Sequence, residues 1–264
     1  MQLYIESAHN PRVKDWGQLK NKKGRLRSGC FLVEGRRLLR EVLASDLTVD
    51  TVLVDVATNP LDESDASVIS ERRISLVELS PAAFASVSDT VTSQGVAAVA
   101  KIPLRPERET TPSPIQVAFD GVADPGNLGT LLRSAEAFGV TSVCCGTGTV
   151  DPYSPKVVRA SMGGLFHLSV SMEPTRDYVL RFLEEHEDGQ VAAASADAKI
   201  PCHEVDFGKP TLILIGSEAS GISDEVAQLA TVSVRIPMVG RAESLNAAMA
   251  GSILLYEAHR QRLP

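Results

Sequence analysis

The chain has 264 residues, of which 44% are hydrophobic and 22% are charged. This balance is typical of a globular protein and excludes collagen-like and disordered chains. We expect a cytoplasmic protein without a membrane segment, because no apolar run approaches about 20 residues and the N-terminus lacks the apolar stretch of a secretory signal. The four cysteines show no Cys-x-x-Cys spacing, so neither a disulfide framework nor a metal site is predicted.

The net charge of −7 is unevenly distributed along the chain. Residues 1–40 hold ten of the 26 Lys and Arg against three acids, whereas residues 41–100 hold ten acids and two arginines. This asymmetry favours a basic arm that binds a polyanion. A solvated basic helix face would have the same composition, so both interpretations stay open at this point.

Residues 1–100 alternate apolar stretches with helical patterns, which predicts a small α/β unit. A helix is expected at Arg36–Leu43, and Ser80 followed by Pro81 is typical of a helix start. The predicted strands are Phe31–Val33, Thr51–Val54, Leu76–Leu79 and Gly95–Ala100.

A linker is predicted at residues 101–114, which contain four prolines and five charged residues. Such a segment is unsuited to a helix interior or a central strand. It separates an N-terminal domain, residues 1–100, from a C-terminal domain, residues 115–264.

The C-terminal domain alternates strands with helices, which predicts a parallel sheet covered on both faces. Ligands of such folds bind where the strands end. The predicted strands are Ile115–Phe119, Ser142–Cys145, Leu168–Ser171, Val191–Ala194, Thr211–Ile215 and Val232–Ile236, and the predicted helices are Asn127–Phe138, Pro155–Met162, Arg176–Glu187, Asp224–Leu229 and Leu245–Arg260.

Three of the loops that follow strands have unusual compositions. In the first, Asn127 is a candidate helix N-cap between two glycines, and Gly139 is placed to end the same helix. An ordinary turn explains the caps, but close approach of a ligand would explain the glycines.

The second loop, residues 214–222, places Glu218 between Gly216 and Gly221 directly after an apolar strand. Neither G-x-G-x-x-G nor a P-loop is present, which argues against dinucleotides and nucleoside triphosphates. In the third loop, Ser244 is the expected cap of a helix that begins with small residues, and Asn246 in its first turn requires a hydrogen-bond partner.

The segments GNLGTLLRSAEAFG, LILIGSEASGI and IPMVGRAESLNAAMAGSILLYEA resemble, in this order, the three motifs of the SpoU (TrmH-type) RNA ribose 2′-O-methyltransferases of the SPOUT superfamily. The resemblance implies a C-terminal domain with a deep trefoil knot that binds S-adenosylmethionine. The N-terminal stretch is similar to the substrate-binding extension of this family, which precedes a ribosomal-protein-like α/β/α domain.

The resemblance also implies roles for individual residues. The implied cofactor-binding residues are Gly216, Glu218, Gly221, Ile236, Met238, Leu245 and Asn246. The implied catalytic residues are Asn127, Arg133, Glu218, Ser244 and Asn246.

Arg133 is assigned by the resemblance to activation of the ribose 2′-hydroxyl. A guanidinium group seldom releases its proton. A second interpretation is therefore that Arg133 holds a phosphate and stabilises developing alkoxide charge while phosphate or water takes the proton. A simple ion pair with Glu136 is the third interpretation.

The substrate implied is RNA, with ribosomal RNA expected, transfer RNA as the alternative, and a drug-resistance role left open. A homodimer is also implied, in which Arg133 acts on the partner's cofactor pocket, and the helix residues Leu128, Leu131, Leu132 and Ala135 are candidates for its apolar interface. The expected phosphate contacts are Lys20, Lys22, Lys23, Arg25, Arg27, Arg36 and Arg37.

Two functions of other classes remain as rivals. One is a non-catalytic RNA-binding assembly protein on the same scaffold, against which the intact motif residues count. The other is a dinucleotide-dependent enzyme, against which the missing glycine motif counts.

Overall fold

A computed structural model describes residues 3–58, 61–103 and 113–263. Its internal contacts divide the chain into two units. The first comprises Met1–Leu104 and Tyr153–His167, and the second comprises Arg105–Pro152 and Leu168–Pro264. Residues 104–112 of the predicted linker lie outside the described residues, while Lys101 belongs to a strand.

The first unit contains a five-stranded mixed sheet in the order β1-β4-β3-β5-β2. β5 is antiparallel to both β2 and β3, and the other pairs are parallel. All four predicted strands are confirmed, whereas β1, α1, α2 and α4 were not predicted. The elements are β1 (Leu3–Ile5), α1 (Pro11–Gln18), α2 (Lys22–Ser28), β2 (Cys30–Glu34), α3 (Arg36–Ala44), β3 (Val49–Asp55), α4 (Glu63–Glu71), β4 (Ser75–Leu79), α5 (Pro81–Val87) and β5 (Val96–Lys101).

The second unit contains a seven-stranded sheet in the order β10-β12-β9-β11-β6-β7-β8. Every pair in it is parallel, as predicted. The remaining elements of the chain, of which α7 belongs to the first unit, are β6 (Ile115–Asp120), α6 (Pro125–Ala137), β7 (Ser142–Cys145), α7 (Pro155–Ala160), β8 (Ser169–Ser171), α8 (Thr175–Glu185), β9 (Gln190–Ala194), β10 (Ile200–Pro201), β11 (Thr211–Gly216), α9 (Asp224–Ala227), β12 (Val232–Arg235) and α10 (Ala247–Arg260).

Two predicted helix starts are wrong. Asp124, not Asn127, caps α6, because its side chain accepts the Asn127 N–H at 2.8 Å and Pro125 follows at the first helical position. Asn246, not Ser244, caps α10. The end of α6 is as expected, since Gly139 has the left-handed φ of +70° that follows many helices.

Residues 153–167 follow β7 in sequence, yet they belong to the first unit. The Tyr153 ring lies 5.0 Å from the ring of Phe31 in β2, and Arg159 in α7 donates to Asp89 at 2.8 Å. A single boundary at residue 115 therefore does not divide the two units, because residues 153–167 lie after it and belong to the first unit. Aromatic side chains bury large areas, so this segment adds to the core of the first unit.

Candidate cofactor and catalytic site

A cavity of about 500 Å³ opens at the carboxyl edge of the seven-stranded sheet. Its walls are the loops that follow β9, β11 and β12, together with the first turns of α10. Parallel strands end at one edge of their sheet, so three loops distant in sequence meet there. Seven residues predicted for the cofactor or for catalysis line it, namely Gly216, Glu218, Gly221, Ile236, Met238, Ser244 and Leu245.

Gly216 is needed for the conformation of the loop that follows β11. The loop after β11 closes on itself, since Ser217 and Gly221 exchange two backbone hydrogen bonds of 2.9 and 3.0 Å. A Cβ at Gly216 would lie 2.1 Å from the carbonyl carbon of Gly221 and 2.3 Å from the nitrogen of Ile222. The family resemblance implied that this glycine binds the cofactor, but glycine is required here first by the close approach of backbone to backbone.

Both polar atoms of the Asn246 side-chain amide form hydrogen bonds. Its Oδ1 accepts the N–H groups of Ala248 and Met249 at 2.9 and 3.3 Å, which caps α10. Its Nδ2 donates to Asn127 Oδ1 at 3.1 Å, and Asn127 Nδ2 in turn donates to the Glu218 carboxylate. The three motifs therefore meet in one chain of hydrogen bonds, which reaches the cavity at Glu218, whereas Asn127 and Asn246 are not among the lining residues.

Asp120 was not among the predicted site residues, but it holds the same region together. It ends β6 and is 9% exposed. Its carboxylate accepts Thr175 Oγ1 at 2.8 Å, and the N–H and hydroxyl of Ser223 at 2.8 and 2.7 Å. Ser223 follows the cavity loop, so Asp120 ties that loop to the sheet. An acidic residue at the end of an apolar strand was the sequence feature that could have identified Asp120.

Arg133 does not line the cavity of its own chain. It is exposed on α6, and among the described residues it makes no ion pair, with Glu136 or with any other acid. The ion-pair interpretation therefore has no support. The guanidinium is available for a ligand that comes from outside this chain.

Helices α6 and α10 pack closely together. A Cβ at Gly251 would lie 2.3 Å from Leu131 Cδ2, and the hydroxyls of Ser134 and Ser252 are 2.7 Å apart. The small residues at the start of α10 thus permit close packing, as predicted. One prediction here is wrong: four apolar residues expected at an interface are 0% exposed within the chain, namely Leu128, Leu131, Leu132 and Ala135.

The exposed apolar side chains of this region lie on α10 instead. Met249, Ile253 and Tyr256 are 57%, 37% and 51% exposed. Their spacing of four and three residues places them on one face of the helix. We call these three residues the α10 stripe.

The seven basic residues predicted to contact phosphate divide into two groups. Arg25 was predicted to contact phosphate, but it is 3% exposed, and its guanidinium donates to the carbonyls of Leu19 and Lys20 at 2.8 and 3.0 Å. Lys20 Nζ likewise donates to the carbonyls of Ser86 and Ser88. The exposed members are Lys22, Lys23, Arg27, Arg36 and Arg37.

Within the described ranges, no group of His, Cys, Asp and Glu is placed to hold a metal ion. The same residues include no helix long and apolar enough to cross a membrane.

Comparison with known proteins connects this geometry to a family. A sequence model of the SpoU rRNA Methylase family matches residues 114–256, and one of the MRM3-like substrate binding domain matches residues 10–98. The chain is 34% identical to the 23S rRNA (guanosine(2553)-2′-O)-methyltransferase RlmP of Bacillus subtilis, over 96% of this chain and 97% of that protein.

Two further comparisons cover nearly the whole chain. The 23S rRNA (uridine(2479)-2′-O)-methyltransferase of Streptomyces viridochromogenes is 32% identical, over 97% of this chain and 92% of that protein. The crystal structure of the SpoU methyltransferase AviRb from Streptomyces viridochromogenes, in complex with the cofactor AdoMet, superposes with a TM-score of 0.88 at 31% identity, over 96% of this chain and 98% of that one.

Proposed function

The chain belongs to the SpoU rRNA methylase family, and on that premise we propose that it transfers a methyl group from S-adenosylmethionine to a ribose 2′-hydroxyl of ribosomal RNA. The observation that carries this proposal is that the second and third motifs line one cavity, while the first motif is joined to both by the hydrogen bonds of Asn127 with Glu218 and Asn246.

The cavity suits S-adenosylmethionine in size and chemistry. A volume of about 500 Å³ is within the range of small-molecule sites. Ile215, Ile236 and Leu245 offer apolar walls for an adenine ring, while the loop backbones offer donors and acceptors. When bound, the cofactor supplies an electrophilic methyl group on a sulfonium.

The transfer requires alignment and the removal of one proton. The 2′-oxygen would form a bond to the methyl carbon of bound S-adenosylmethionine as the carbon–sulfur bond breaks. The electron pair of that bond would stay on sulfur, and the hydroxyl proton would pass to the neighbouring phosphate or to water. The chain of Asn246, Asn127 and Glu218 fixes the cavity mouth, which favours a single attack geometry. Arg133 would hold the phosphate next to the target ribose and stabilise developing negative charge on the 2′-oxygen.

The active form is proposed to be a homodimer in which Arg133 of one subunit serves the cavity of the other. Arg133 is exposed, lies outside its own cavity and has no ion pair in the described part of the chain. The α10 stripe provides an apolar surface on the helix that packs against α6. A twofold contact through this surface would cover the stripe and bring two α6 helices near the partner cavities.

Subunit mixing tests the dimer. We expect Arg133→Ala subunits, mixed with Ala250→Phe subunits whose cavity is filled, to regain up to about a quarter of wild-type activity. Half of randomly exchanged dimers are mixed, and each mixed dimer has one intact site. Mixed dimers that are verified by mass and remain inactive would mean that Arg133 serves its own subunit.

The target nucleoside is a matter for experiment, because the two relatives are named for a guanosine and a uridine. Ribose methylations should be mapped in total RNA from a deletion strain that carries either the wild-type gene or Arg133→Ala. We expect one large-subunit rRNA site to lose methylation and to regain it only with the wild-type gene. Loss at a transfer RNA site instead would replace the rRNA assignment, and unchanged methylation everywhere would contradict the enzymatic function.

We also propose that the C-terminal domain contains a deep trefoil knot and that the exposed basic residues of the first unit contact RNA phosphates. The five exposed residues lie in the unit matched by a substrate-binding family model. Positive charge in such a unit favours contacts to the RNA backbone.

A further inference from the structure

The cavity has an unusual charge composition. Two carboxylates line it, those of Asp197 and Glu218, and no Lys, Arg or His is among its described lining residues. A site built for a phosphorylated ligand would be expected to have basic residues. The cavity therefore presents negative charge to whatever it binds.

The two carboxylates come from different loops. Asp197 lies in the loop after β9, which is joined to β12 by the hydrogen bond of 3.0 Å from Ser195 N–H to the Val234 carbonyl. Glu218 lies in the loop after β11 and accepts the amide of Asn127. The Asp197 carboxylate makes no hydrogen bond or ion pair with any residue that the structure describes, so its charge is uncompensated by protein groups.

The proposed reaction changes the charge of the ligand in this cavity. S-adenosylmethionine carries a sulfonium, an ammonium and a carboxylate, and its net charge is about +1. Loss of the methyl group converts the sulfonium to a thioether, and S-adenosylhomocysteine is then neutral overall. The two ligands differ by one methyl group and one positive charge.

We propose that Asp197, together with Glu218, makes the cavity discriminate electrostatically between the cationic cofactor and the neutral product. This role rests on the proposed function and assigns Asp197 as a residue that determines cofactor specificity. Opposite charges attract across the cavity before transfer. That attraction is lost when the carbon–sulfur bond breaks, which favours release of the product.

The test compares three ligands by isothermal titration calorimetry on the full-length protein. They are S-adenosylmethionine, S-adenosylhomocysteine and sinefungin, an analogue with an ammonium group in place of the methylsulfonium. We expect Asp197→Asn to weaken the two cationic ligands about threefold to tenfold and the neutral product by less than about twofold. Added salt should weaken binding of the cationic ligands to the wild-type protein more than binding of the neutral product, because salt screens the carboxylates.

Asp188→Asn is the matched control, since it removes the same charge from an exposed turn outside the cavity. It should leave all three affinities unchanged, and equal melting temperatures would confirm that the variants are folded. If Asp197→Asn changes all three affinities equally, or changes none, the electrostatic role is refuted. If the wild-type protein binds none of the three ligands, the proposed function fails instead.

Discussion

Replacing Gly216 by Ala places one methyl group where the loop after β11 crosses its own strand end. The new Cβ would lie 2.1 Å from the Gly221 carbonyl carbon and 2.4 Å from its oxygen. These are backbone atoms, which have no rotamer by which to move aside. Since ordinary contact begins near 3.4 Å, the backbone on one side must shift by about 1.3 Å.

That shift is larger than the two hydrogen bonds between Ser217 and Gly221 can tolerate. A net value of about 0.5–1.5 kcal/mol for each predicts a loss of about 1–3 kcal/mol for the closed loop. Cofactor binding must then restore the loop, so the Kd for S-adenosylmethionine should rise about fivefold to 150-fold. The melting temperature should fall by a few degrees only, because β11 itself stays buried.

Calorimetric titration of S-adenosylmethionine and thermal unfolding measure the two effects. Gly240→Ala is the matched control: it lies in the loop after β12, and its Cβ would meet no atom within 4 Å. We expect wild-type affinity for that variant. Wild-type affinity in Gly216→Ala, with the same melting temperature, would refute the assignment of this glycine to loop closure.

Three further predictions follow from particular side chains. Arg25→Ala should lower the free energy of unfolding by about 1–3 kcal/mol, because two carbonyls lose their donor. The double variant Lys22→Gln, Lys23→Gln should leave stability unchanged, and it should reduce the slope of log affinity for RNA against log salt concentration by about 1.4–1.8. The reverse pattern would contradict the division of the basic residues into buried and exposed groups. Burial alone would raise the pKa of Glu34, but hydrogen bonds from the hydroxyls of Ser88, Thr90 and Ser93 and from the Asp89 N–H outweigh burial, so the pKa is lowered from 4.5. Its contribution to stability is therefore present above about pH 4.5 and lost as the pH falls through the lower folded value, and Glu34→Gln should show a flatter acid profile in chemical unfolding. Asp120→Asn should raise the KM for S-adenosylmethionine more than that for RNA, since its carboxylate ties the cavity loop to the sheet, and equal changes in both KM values would argue for a purely structural role.

Most of the fold could be predicted from the order of apolar residues. All ten predicted strands are present, since buried parallel strands appear as short apolar runs between polar segments. The helices α1 and α2 were not predicted, because their residues are mainly polar and basic. The N-cap of α6 was misplaced by three residues, although Asp124 before Pro125 has the same cap pattern that correctly predicted α5 after Ser80.

The sequence predicted residues that line the cavity, but not which of them lie next to one another. Motif residues gave the members of the cavity, because each loop carries its own local signature of glycines and capping residues. Which of these residues meet depends on strand order. That order places β9, β11 and β12 side by side, although at least 15 residues separate each of these strands from the next along the chain.

The roles that only the tertiary structure decided are those that depend on what lies opposite a residue. Local sequence showed Gly216 as a glycine after a strand, Arg25 as one base among several, and Leu131 as one apolar residue on a helix. The first faces its own loop, the second faces two carbonyls, and the third is covered by Gly251. Burial and hydrogen bonding are properties of pairs of groups, and the partners here are brought together by the folding of distant segments.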